Sequence, residues 1–299
     1  MSTETNKERW LALLEEEYFC LKKDTVEFDV ATMLKDMLLS VDLNNAVHTT
    51  AQQLNTYYWE RNNAKGPFFS WGNMEETFPD FVSFLYDIIV RLTPLISYND
   101  PRQDVILQLV LELRRLPPNP VKAWNGDRLL TPDNDTFALQ LHNTWSALWD
   151  DDSSAYSGPQ DWKQHCDEWL NFSSFLARCI QVRIDDHVLV ISKYPRMNIE
   201  DGLGTYIDDS IRRSCWVMVA AQYVLLAGPV LREEFIQSPS SPDWGIDKWK
   251  FWAKRFGEVG SGRGLAPEVK EAALEARRKM ILLKPELFTV SEGGTKTED

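Results

Sequence analysis

Cysteine is scarce: Cys20, Cys166, Cys179 and Cys215 are the four in 299 residues. At this chain length four do not make a disulfide framework, and their place in segments that read as helices points to buried free thiols in a reducing compartment. The polar start Met1–Glu8 lacks an apolar stretch, so no secretory leader is expected there. Long apolar runs are missing too. The longest, Cys215–Leu231, is interrupted by Gln222, Gly228 and Pro229. A bilayer span needs about 20 apolar residues, so this run reads as a central buried helix and no membrane partner is expected. Gly202-Leu203-Gly204 lacks the third glycine and the preceding strand of a dinucleotide site, and reads as a loop. Neither a serine nucleophile elbow nor a zinc-protease helix motif occurs.

Metal chemistry finds little footing. His165-Cys166, Cys179 and His187 have ligand-type side chains. But Cys166 and Cys179 lie thirteen positions apart on one helix, about 20 Å by the rise per residue. One ion cannot bind both, so they read as core cysteines. His48 and His142 are solitary and read as structural. No metal and no cofactor are expected.

What is present is acid, helix and tryptophan. The chain carries 45 Asp+Glu against 32 Lys+Arg, a formal charge of −13. That argues against a general nucleic-acid binder. The charge is uneven, however: Trp244–Lys284 holds ten bases and five acids. A local basic contact surface therefore stays open.

Helical periodicity runs through the sequence. Glu8–Lys22 sets Trp10, Leu14, Tyr18 and Leu21 on one face. Helices are predicted over Asp29–Leu39, Leu43–Arg61, Glu75–Leu92, Pro101–Leu116, Asp135–Trp149, Asp161–Arg183, Thr205–Leu226, Lys248–Glu258 and Pro267–Leu283. Pro117-Pro118-Asn119-Pro120 stops Pro101–Leu116, and Gly228-Pro229 is expected to end or kink Thr205–Leu226. Asp243 is placed to cap the helix that follows it. A short strand competes only over Val182–Ile191, where helix or irregular chain is preferred. The fold class is all-α: a single large domain of about ten helices in an orthogonal array or bundle. Residues 9–290 form this domain, with a flexible N-terminus over 1–8, a linker at 150–160 and a disordered tail over 291–299.

Two clusters carry candidate chemistry. Glu200, Asp201, Asp208 and Asp209 precede Arg212-Arg213. Asp208–Arg212 and Asp209–Arg213 are four apart and can pair on a helix face. As a solvated salt-bridge set they would suit a helix start; as a site they would hold a guanidinium. The second cluster is Lys248, Lys250, Lys254, Arg255, Arg263, Arg277, Arg278 and Lys279, interleaved with Trp249 and Trp252. Bases beside aromatics grip phosphates and stack bases; at helical spacing the tryptophans instead face a core. Among the 12 tryptophans, Trp145, Trp149, Trp162 and Trp169 read as core, whereas Trp59, Trp71 and Trp124 flank turns and are candidates to line a pocket.

The helix Asp208–Leu231, the segment Trp249-Lys250-Phe251-Trp252-Ala253-Lys254-Arg255-Phe256 and the closing Ala272–Met280 together resemble a fungal helical family of formerly unknown function. That family is named after protein G of an oxopyrrolidine biosynthetic cluster. Trp145–Trp149 and Trp162–Phe175 are similar to its central region, and the resemblance covers roughly residues 20–285. It implies one helical domain and a cytoplasmic role in secondary metabolism. Some relatives look like arginine-containing cyclodipeptide synthases. Those enzymes condense arginine, delivered by its transfer RNA, with a second aminoacyl-tRNA to give a diketopiperazine. On that reading Glu200, Asp201, Asp208, Asp209 and Arg212 bind substrate. Lys248, Lys250, Lys254, Arg255, Arg277 and Arg278 contact nucleic acid. The partners are arginyl-tRNA and a second aminoacyl-tRNA. Ser210, Ser214 and Tyr223 are conceivable hydroxyl carriers, and no catalytic residue is assigned. The alternatives are a noncatalytic helical accessory protein of a biosynthetic cluster, or an enzyme on a small apolar metabolite in a Trp-lined pocket.

Overall fold

The computed structural model describes residues 9–21, 23, 25–65, 68–70, 74–76, 78–116, 119–123, 126–130, 134–149, 159–184, 193–204, 210–237 and 245–288. The fold is all-α: eleven α-helices hold most of the described residues, beside two short two-stranded hairpins. The sequence suggests one domain, and the chain divides into two compact units, Met1–Cys179 and Ile180–Asp299. Residues 1–8, 150–158 and 291–299, expected as flexible start, linker and tail, lie outside the described residues.

The first unit contains α1 (Arg9–Glu17), α2 (Val26–Leu39), α3 (Leu43–Lys65), α4 (Phe78–Leu92), α5 (Arg102–Arg115), α6 (Asn134–Trp149) and most of α7 (Pro159–Gln181). Their apolar stripes are buried as the periodicity predicts: Leu85, Ile88 and Leu92 on α4, Val105, Leu109 and Leu113 on α5, Cys166, Trp169, Phe172 and Leu176 on α7. Each such large side chain contributes about 1.5–3 kcal/mol by leaving water. Thr25 caps α2, its side chain accepting from Phe28 N–H at 3.2 Å, with Glu27 and Asp29 in the first turn.

Two polar residues hold the short turn Thr93–Leu95 against this core. Gln103, fully buried, donates to the Thr93 and Ile96 carbonyls at 2.9 and 2.7 Å. Asn171 accepts from Tyr98 N–H at 2.8 Å and donates to the Pro94 carbonyl at 2.9 Å. A turn beneath helices needs such partners for its backbone groups.

Several boundaries depart from expectation. The first helix stops at Glu17, because Phe19 N–H turns back to the Leu14 carbonyl at 3.1 Å. Cys20 therefore sits in an exposed turn and Leu21 is 39% exposed, while Trp10, Leu14 and Tyr18 are buried. Glu75 and Glu76, expected in a helix, belong to β2 (Met74–Glu76), which pairs antiparallel with β1 (Phe68–Ser70). The helix waits until Phe78, with Pro79 in its first turn, where a missing N–H costs nothing. β3 (Asn119–Ala123) and β4 (Gly126–Leu130) form the second hairpin. Pro120 is tolerated there because a two-stranded sheet has only edges.

The second unit is built on α9 (Ser210–Arg232). The stretch Ile211–Ile236 is long and apolar enough to cross a membrane by composition, and 72% of its apolar window is buried. It is apolar all round because α8 (Tyr194–Gly204) and α11 (Pro267–Leu283) both pack on it. α10 (Ile246–Ser261) packs on α11 and α8. Trp249, Trp252 and Phe256 face this core, as do Val269, Ala273, Ala276 and Met280.

The expected loop at Gly202-Leu203-Gly204 is the end of helix α8. Gly202 is there for contact: a Cβ would stand 2.5 Å from the Trp216 carbonyl oxygen. Gly228-Pro229, expected to end or kink the helix, does not end it: α9 continues to Arg232. Pro229 has no N–H for the Leu225 carbonyl four residues back. Lys279 Nζ on α11 supplies the donor, at 3.2 Å. Gly228 lets α11 come close, since a Cβ there would meet Leu283 Cδ1 at 2.9 Å. A π-helical turn, Glu233–Gln237, then closes the element. Gly245, with φ 143°, occupies the cap position of α10; Asp243 lies outside the described residues. The first stretch of Val182–Ile191 is a left-handed turn at Arg183, φ 50°, whose guanidinium pairs with Glu233 at 2.7 Å. Residues 185–192 lie outside the described residues.

Candidate functional site

Half of the predicted nucleic-acid residues converge on one cleft of the second unit. Lys250 and Lys254 stand one turn apart on the outer face of α10, opposite the buried Trp249–Trp252–Phe256 face. Arg277 reaches the same space from α11, and the cleft they line has a volume of about 550 Å³. Gly257 makes room: a Cβ there would stand 2.9 Å from Arg277 Cδ and 3.1 Å from its Nε. Leu287 and Phe288 form an apolar wall. They are set by the turn Pro285–Leu287, in which Phe288 N–H donates to the Pro285 carbonyl at 2.9 Å.

Three cations thus face one carboxylate, Glu258. That carboxylate already accepts from Arg255 Nη1 at 2.6 Å, with Lys254 Nζ 3.7 Å away. The Arg255 hydrogen bond holds the Glu258 carboxyl below its ordinary range. The cleft keeps a positive excess, with an aromatic ring at its edge. Such an arrangement suits a phosphate-bearing ligand with a flat or apolar part.

The other predicted nucleic-acid residues go elsewhere. Arg255 directs Nε and Nη2 to the Leu203 carbonyl at 3.1 and 2.7 Å, tying down the C-terminal end of α8. This is a structural task, satisfying a carbonyl that a helix end leaves over. Lys248 pairs with Glu200 at 2.7 Å. Arg278 is exposed on α11 and does not line the cleft.

Of the predicted carboxylate pocket, Glu200, Asp201 and Arg212 are among the described residues. Asp208 and Asp209 lie outside them. Glu200 is engaged by Lys248, and Arg212 is half-buried near the start of α9. Burial, reinforced by the neighbouring Glu200 charge, pushes the Asp201 carboxyl above its ordinary range. Tyr223 is fully buried, its hydroxyl 3.4 Å from Asn198 Nδ2, and so is closed to a substrate. Among the tryptophans, Trp145 and Trp169 are buried, and Trp145 stacks on Trp149 at 4.9 Å between centroids. The side chains of Trp59, Trp71 and Trp124 lie outside the described residues. Gly257 and Phe288 were missed from sequence; the i, i+4 spacing of Lys250 and Lys254 was the only local signal.

These features define a helical protein with a basic, aromatic-edged cleft on its C-terminal helices. The chain belongs to a protein family of unknown function (DUF3632), whose family model matches residues 86–256. No curated protein and no solved structure matches it.

Proposed function

We propose that this chain is an aminoacyl-tRNA-dependent enzyme of fungal secondary metabolism, forming an arginine-containing cyclic dipeptide, and that its basic cleft takes the acceptor end of the RNA. The observation that carries the RNA part is the convergence of Lys250, Lys254 and Arg277 on one cleft beside Phe288. A single-stranded end needs only a few phosphate contacts and one stacking surface. A net charge of −13 repels duplex elsewhere and confines binding to this face. The dipeptide part rests on the family resemblance of the Trp249–Phe256 and Asp208–Leu231 segments. An aminoacyl ester arrives already activated, so the reaction requires no nucleotide-activation step. The cleft is assigned to binding and not to bond formation.

The test is expression of the full chain in a clean host, with mass spectrometry for arginine-containing diketopiperazines. Product from the natural sequence, reduced by Lys250→Glu with Lys254→Glu, supports the proposal. Soluble protein that yields no such product and retains no tRNA refutes it. The Glu200–Lys248 pair favours a second reading, because it engages one oxygen of a predicted arginine ligand. On that reading the protein is a noncatalytic helical partner in a biosynthetic cluster, and product formation excludes it.

A further inference from the structure

The first unit holds a cleft of its own, about 420 Å³, walled by α1, α4, α6, α7 and the Thr93–Leu95 turn. Its size falls in the range of small-molecule sites. Leu13, Leu95 and Leu148 give it apolar surface, and Asp87, Glu168, Gln140 and the Arg91 guanidinium give it polar groups.

Its charges are not matched within it. The Arg91 guanidinium turns to α1: Nη2 donates to both Glu17 carboxylate oxygens at 2.6 and 2.7 Å, and Nη1 to the Tyr18 hydroxyl at 3.0 Å. Asp87 is left with Arg91 Nη1 at 3.9 Å, beyond hydrogen-bonding distance. Glu168, by contrast, is held by Arg9 and by the Gln164 amide. Gln140 donates to the Ser83 hydroxyl at 3.3 Å, which leaves its carbonyl oxygen as an acceptor.

We infer that this cleft binds a small organic cation, an ammonium or guanidinium on an apolar stem, with Asp87 as its ion-pair partner. The stem lies along the leucines. The cation stands beside Asp87, which has a carboxylate oxygen to offer, in a cleft that Gln140 also lines. Burial pushes the Asp87 carboxyl above its ordinary range, against the pull of Arg91 and with the push of Glu17. A cation at this point relieves that penalty. Two carboxylates line the cleft against one guanidinium, that of Arg91, which Glu17 already holds; this balance disfavours a phosphate here, so this site and the basic cleft select opposite charges. The inference lies within the first unit and does not rest on the RNA reading.

The test uses the full chain and two probes of one shape, n-butylguanidinium and neutral n-butylurea, with binding followed by calorimetry and saturation-transfer NMR. The cation binds and the urea binds about tenfold more weakly, between the worth of an exposed ion pair and a charged hydrogen bond. Asp87→Asn weakens the cation by about tenfold and leaves the urea unchanged. Asn143→Arg, at an exposed position of the lining, adds a rival cation and lowers affinity without touching the core. It carries the test if Asp87→Asn does not fold. Equal binding of the two probes, no binding of the cation, or indifference to the variant that folds overturns the inference.

Discussion

Exchanging Lys279 for methionine removes the ammonium that stands in for a backbone donor and keeps the stem. In the folded protein Nζ lies 3.2 Å from the Leu225 carbonyl, the one that Pro229 cannot satisfy. A hydrogen bond from a charged group contributes about 1.5–3 kcal/mol, and the part-buried setting places this one at the lower end, about 1.5 kcal/mol. The stem stays packed near Gly228, so little of the loss comes from cavity formation. Pro229→Ala restores the missing N–H and gives Leu225 a helical partner. With that partner present, Lys279→Met costs less, and a double-mutant cycle reads a coupling of about 1 kcal/mol. The assay is urea unfolding of the four chains by circular dichroism, compared only where the slopes agree. Additivity within about 0.3 kcal/mol refutes the idea that Lys279 replaces the proline's donor.

Gly202→Ala forces a Cβ to 2.5 Å from the Trp216 carbonyl oxygen and destabilises the protein by about 1–3 kcal/mol in thermal or urea melts. Gly204→Ala, with open space around it, is neutral or stabilises by up to about 1 kcal/mol. Asp201→Asn stabilises the fold at neutral pH, because the folded state holds the Asp201 carboxyl above its ordinary range and so disfavours its charge. The gain present above the folded pKa vanishes below the ordinary Asp range, and melts across pH 3–7 display it as a converging pair of curves. Gly257→Ala displaces Arg277, which is flexible and exposed, so stability stays within about 0.5 kcal/mol while binding of single-stranded RNA falls.

The helices were legible wherever a stripe was long. Leu85–Ile88–Leu92 and Trp169–Phe172–Leu176 are buried as their spacing demands, because burial of one face dictates that spacing. The hairpins were not legible: three- and five-residue strands carry too little periodicity, and Pro120 and Glu75-Glu76 speak against strand locally. Gly202 and Gly228-Pro229 misled for a shared reason. Each looks like a chain breaker in one dimension, and each is an accommodation to a neighbouring helix. In the candidate site the Lys250–Lys254 pair was visible as an i, i+4 spacing. Its completion by Arg277, the withdrawal of Arg255 to the Leu203 carbonyl and the pairing of Glu200 with Lys248 are tertiary facts. Local sequence does not encode them.

The claim that the C-terminal cleft is a phosphate-binding surface is met most directly by the salt dependence of RNA binding. A labelled single-stranded RNA ending in CCA is titrated with the full chain by fluorescence anisotropy at several salt concentrations. Three phosphate contacts, from Lys250, Lys254 and Arg277, give a log–log slope of about −2. In Lys250→Ala with Lys254→Ala the slope flattens to about −0.7, with weaker binding throughout. An unchanged slope and affinity in that variant, with the fold intact by circular dichroism, contradicts the assignment.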